Sequence, residues 1–141
     1  MAGMYDRIRM FDPKRGGEPD EAMVAGAKRC IEDFGRAFNA GDPAAMDRCL
    51  SFPHVLLVGS ELMVWEKSGQ TPADFFDTLR RQGWSRTDWR DPEPLLVSQD
   101  KVHFRVKYTR EREDGSAISG HENIWIVTRK NNRWGIAFRS Y

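Results

Sequence analysis

His54, Tyr108, Glu122, Arg139 and Tyr141 carry most of the chemistry this sequence offers. Arg139 and Tyr141 lie two residues apart at the C-terminal end, and on a strand that spacing puts a cation and a phenol on one face. An inward guanidinium is unfavourable unless a carboxylate meets it, from the protein or from a ligand. Glu122, on the preceding strand, is the internal partner to weigh. An Arg139–Glu122 pair would be structural, whereas an arginine answered by a ligand would mark a binding site. His54 directly follows Pro53 at the start of an apolar strand, and is read as a hydrogen-bonded packing residue or as a base. Tyr108 shares a strand face with Phe104 and Val106, so its hydroxyl needs a partner if buried. The five tryptophans, Trp65 among them, are core or pocket wall.

Other chemistries find little support. His54, His103 and His121 lack the close spacings of a zinc site, and no metal or other cofactor is expected. There is no nucleophile elbow, phosphate loop or dinucleotide fingerprint. The Arg105, Lys107, Arg110 and Arg112 series is interleaved with acids and reads as a solvated strand end. A formal net charge of +1 gives no electrostatic case for nucleic acid or an anionic membrane. No apolar run approaches the ~20 residues of a membrane span, and none at the N-terminus resembles a signal peptide. Cys30 and Cys49 read as small core residues of a reducing compartment. A cytoplasmic protein is expected.

Several elements must position these side chains. Residues 1–17 read as an N-terminal arm, and residues 18–141 as one domain. A helix is expected over Pro19–Ala40, with Met23, Ala27, Cys30, Ile31, Phe34 and Phe38 forming an apolar stripe. Gly41 stops it, and Asp42 caps a short second helix that begins at Pro43. His54–Val58 and Leu62–Trp65 form a hairpin. Thr71–Asp74 opens a third helix, which Gly83 ends. Residues 84–94 have no period and read as a loop or irregular edge. Leu95–Val97 and Val102–Arg112 are strands, and Asp114-Gly115 turns the chain. His121–Tyr141 is a final strand pair around Asn131-Asn132, two residues that tolerate positive φ. Ile124–Val127 is apolar throughout, implying burial on both faces. Trp134, Ile136 and Phe138 fall on one face of the last strand, with Ala137, Arg139 and Tyr141 on the other. The fold class is α+β: a cone-shaped, curved antiparallel sheet covered on one face by about three N-terminal helices.

A long helix ending in Phe38-Asn39-Ala40-Gly41-Asp42, followed by the strand pair, the third helix and a closing Asn-Arg-Trp-Gly-Ile strand, resembles the nuclear-transport-factor-2-like superfamily over residues 20–141. That fold hosts many unrelated activities. Position by position, the ketosteroid isomerase's oxyanion tyrosine falls on Phe34, its general-base aspartate on Val58 and its second oxyanion acid on Ile124. All three chemical groups are absent, so isomerase activity of that kind is rejected. The resemblance implies a pocket lined by Phe34, Val58, Trp65, Phe104, Tyr108, Ile124 and Arg139. It also implies lyase or isomerase chemistry, if any. His54 or Glu122 would then be the base, with Arg139 or Tyr141 stabilising oxyanion charge.

Two functional readings follow. One is a domain binding an unknown small organic ligand in an enclosed, mainly apolar pocket. The other is a non-enzymatic association module whose pocket is filled. In both, a two-fold homodimer through the open sheet face is expected.

Overall fold

The computed structural model describes residues 21–141; the expected arm at 1–17 lies outside the described residues. Helix α1, Glu21–Asn39, buries Ala27, Cys30, Ile31, Phe34 and Phe38 along one stripe. Its end follows from Gly41, whose φ of +63° lets the N–H groups of Gly41 and Asp42 turn back to the carbonyls of Phe38 and Ala37. Asp42 then caps α2, Pro43–Asp47, accepting a hydrogen bond from the Ala45 N–H at 3.1 Å. The third helix, α3, runs from Phe75 to Arg81. No helix among the described residues is long and apolar enough to cross a membrane.

The strands are β1 Leu50–Val58, β2 Glu61–Trp65, β3 Arg86–Trp89, β4 Glu93–Val97, β5 Lys101–Glu111, β6 Ala117–Lys130 and β7 Arg133–Ser140. They form one sheet in the order β2-β1-β7-β6-β5-β3, with β4 on the other half of β5. Pairing is antiparallel except between β1 and β7, which the intervening chain brings together in parallel. β1 begins at Leu50 rather than His54. Residues 84–94, expected as a loop or irregular edge, contain β3, an edge strand. The Asn39 amide holds it, donating to the Thr87 carbonyl at 2.9 Å and accepting from the Thr87 N–H at 2.7 Å. Asn131 and Asn132 turn the final pair with φ of 55° and 61°.

Two features decide which side chains point inward. On β6, Asn123, Trp125 and Val127 are buried, while Ile124 is 45% exposed. The strand therefore buries one face of the chain and not both, and Ile124 stands on the outer face. On β7, Ile126 pairs with Phe138 but Val127 pairs with Ile136, so Ala137 is an extra residue. This bulge turns the strand over. Ile136 and Arg139 are both buried inward, and Phe138 leaves the face expected for it. α1 packs across this concave side, against β3, β5, β6 and β7. The outer face shows Leu62, Val64, Leu96 and Ile124. Cys30 and Cys49 are free thiols.

Candidate functional site

Arg139 is the centre of the concave side. It pairs across β7 with Trp125 of β6 and with Leu56 of β1, and it is 5% exposed. Its guanidinium lies 5.1 Å from the ring centre of Phe34, 5.6 Å from Trp65 and 5.7 Å from both Trp125 and Tyr141. Nε donates to His54 Nε2 at 2.9 Å, and Nη1 donates to the Tyr141 hydroxyl at 3.0 Å. Among the described residues no carboxylate pairs with it. Four aromatic faces offer a cation quadrupole attraction, but no counter-charge.

His54 is fully buried behind this arginine. Nε2 accepts from Arg139, so Nδ1 carries the proton and donates to the Ile136 carbonyl at 2.8 Å. Burial, and next the Arg139 cation, push its pKa down to about 4. The ring is neutral at pH 7 with both nitrogens engaged. His54 therefore has no lone pair for a ligand and does not line the cavity, which corrects its reading as a base. It fixes the orientation of Arg139.

The described residues enclose a cavity of about 400 Å³ in front of the guanidinium. Phe34, Phe38, Trp65, Phe75 and Trp89 supply aromatic wall, with Leu56, Met46 and Met63 between them. Trp89 fits closely against α1 because position 35 is glycine: a Cβ there would approach Trp89 Nε1 to 3.1 Å. Polar groups are few. The Tyr108 hydroxyl accepts from Asn123 Nδ2 at 3.2 Å, as the Tyr141 hydroxyl accepts from Arg139. Each phenol thus keeps its own proton to offer. Burial, with the neighbouring Tyr141 phenol, pushes the Tyr108 pKa up to about 12, so it stays a donor. Arg110 also lines the cavity, and no Asp, Glu or His does so among the described residues. No three His, Cys, Asp or Glu side chains among them gather as a metal site.

The structure brings together Phe34, Trp65, Tyr108, Arg139 and Tyr141 on one cavity wall. It separates the others. Glu122 is on the outer face, paired with Arg105, because the inward positions of β6 are odd-numbered. It is neither the internal partner of Arg139 nor a base for the cavity. Ile124 is outward for the same reason. Val58 stands 44% exposed at the far end of β1, outside the cavity. Phe104 is fully buried in the core opposite Trp125 and does not reach the lining. Sequence reasoning missed Arg110, Asn123 and Met63. Arg110 was legible in principle: it continues the alternation Phe104, Val106, Tyr108, and so points inward rather than with Arg105 and Lys107.

This arrangement of helices on a curved, unclosed sheet, with a cavity between, is that of the cystatin-like, NTF2-like proteins. The chain belongs to the NTF2-like family DUF6841, whose model matches residues 20–139. No curated protein matches the sequence. Among solved structures it is similar to a protein of unknown function with a cystatin-like fold from Nostoc punctiforme, at a TM-score of 0.70 and 12% identity over 88% of this chain and 92% of that one. An NTF2-like protein from Novosphingobium aromaticivorans superposes with a TM-score of 0.63 and 16% identity, over 97% and 85% of the two chains. A protein from Shewanella frigidimarina, described only as a candidate ketosteroid isomerase, gives 0.60 and 15%, over 82% and 93%. At these identities the likeness is one of fold.

Proposed function

We propose that this chain binds a small, largely apolar organic anion in the cavity before Arg139. The observation that carries the reading is the buried Arg139 guanidinium, which meets aromatic faces and neutral groups but no carboxylate among the described residues. A buried cation without a partner is unfavourable, and a ligand carboxylate resolves it with charge-assisted hydrogen bonds. Tyr141 and Tyr108 add neutral donors, and the aromatic wall receives the ligand's body. The cavity volume favours ligand binding over a filled pocket, since small-molecule sites begin near ~300 Å³. Lyase or isomerase chemistry through a protein base finds no support in the described lining, which holds no acid or histidine. The outward Leu62, Val64, Leu96 and Ile124 favour a homodimer through that sheet face, and the free thiols fit a reducing compartment.

A thermal-shift screen of apolar monocarboxylates against native protein and Arg139→Met tests the reading. A ligand at 100 times its Kd adds about 2.7 kcal/mol, a shift of several degrees for a domain of this size. The expected result is a shift in the native protein that the variant loses. Equal shifts in both, or none in either, would overturn the proposal.

A further inference from the structure

We propose that the ligand is a dianion, its two acidic groups separated by an apolar body, one held at Arg139 and the other at Arg110. This rests on the anion-pocket reading and adds the substrate class to it. Arg110 follows Phe104, Val106 and Tyr108 on the inward face of β5 and lines the same cavity as Arg139. Its surroundings repeat the anomaly. Its neighbour Glu111 is turned to Arg86, 3.6 Å away, and no carboxylate among the described residues pairs with Arg110 itself. Arg110 Nε is buried without a hydrogen-bond partner among them. Two guanidinia thus face one cavity whose described lining contains no acid. Like charges repel, and do so more strongly where water is excluded. A monoanion would answer one of them and leave the other.

The two cations stand on separate rows of the sheet. Arg139 pairs with Trp125, which pairs with Phe104; Arg110 is six residues further along β5. That is roughly 20 Å of strand at about 3.3 Å per residue, before the side chains reach back toward each other. The two guanidinia thus reach the one cavity from different strands and rows, an arrangement that suits two acidic groups joined by a body. The rings of Phe34, Trp89 and Tyr108 lie on the wall with them, so the segment between the acids is flat or a plain hydrocarbon chain. The Tyr108 hydroxyl, in the same lining, keeps its proton and adds a neutral donor.

The test compares matched pairs of ligands by isothermal titration calorimetry at neutral pH: para-phenylenediacetate against para-tolylacetate, and suberate against octanoate. The diacid is expected to bind native protein about tenfold tighter than its monoacid, or better. Arg110→Met should erase that advantage, and cooperative urea unfolding of the variant shows that it is folded. Arg110→Lys should restore part of it. If diacid and monoacid bind native protein alike, or the advantage persists in Arg110→Met, the dianion inference falls and the monoanion pocket stands. If neither series binds native protein, both fall.

Discussion

Arg105 and Arg139 lie one row apart in the same sheet, and their company is opposite. Arg105, on the outer face, sits half-exposed between Glu122 and Glu93, the latter 3.3 Å away. Arg139, on the inner face, has rings, a neutral histidine and a phenol. Solvent would screen Arg105 even without its acids, and surface pairs of this kind contribute little. Nothing screens Arg139. Ion pairs are therefore plentiful where they matter least, while the buried cation is left for something from outside the described fold. An arginine's function is better read from what fails to surround it than from its place on a strand.

This contrast between the faces can be broken from the inside first. Phe34 is 1% exposed and touches both the core and the Arg139 guanidinium. Phe34→Ala should destabilise the protein by about 3–5 kcal/mol in urea unfolding, the range for emptying a core ring position. A loss under about 1 kcal/mol would mean that the inner face is much looser than described.

Acid tests the same face through His54. Its pKa falls from 6.5 to about 4 on folding, for burial first and the Arg139 cation second. Between those values the unfolded chain binds more protons than the folded one, so stability falls as pH drops. The contribution is complete above pH 6.5 and is lost as pH falls through the window to about 4, on the order of 3 kcal/mol in all. His54→Gln should flatten that part of the pH profile of unfolding. An unchanged slope would assign the acid sensitivity to other groups.

The outer face should answer least. Glu122 has its pKa lowered by the hydrogen bond from Arg105 and by the Lys107 cation, yet it is exposed. Glu122→Gln should leave both the melting temperature and carboxylate binding unchanged. Loss of binding in this variant would reverse the assignment of faces on β6.

How much of this was legible in the sequence depended on local signals. The helix stop at Gly41, the cap at Asp42 and the turn at Asn131-Asn132 were readable because one or two residues decide each. The inward Arg139 and Tyr141 were readable from their spacing at the end of β7. The bulge at Ala137 was not, because nothing local requires an extra residue there; it appears only when β7 is paired with β6. Nor was the outward turn of Glu122 and Ile124. The run Ile124–Val127 is apolar at every position, which hides the parity that polar residues normally reveal. β3 was hidden for a different reason: Arg86–Trp89 is short and polar, and one outer hydrogen-bonding partner is a side chain 48 residues earlier in the sequence.

That side chain has a further consequence. By engaging both backbone groups of Thr87, the Asn39 amide occupies the outward-facing positions that a foreign strand would seek. Polymerisation by strand addition is blunted at that end of the sheet, and the edges of β2 and β4 are where such growth would begin.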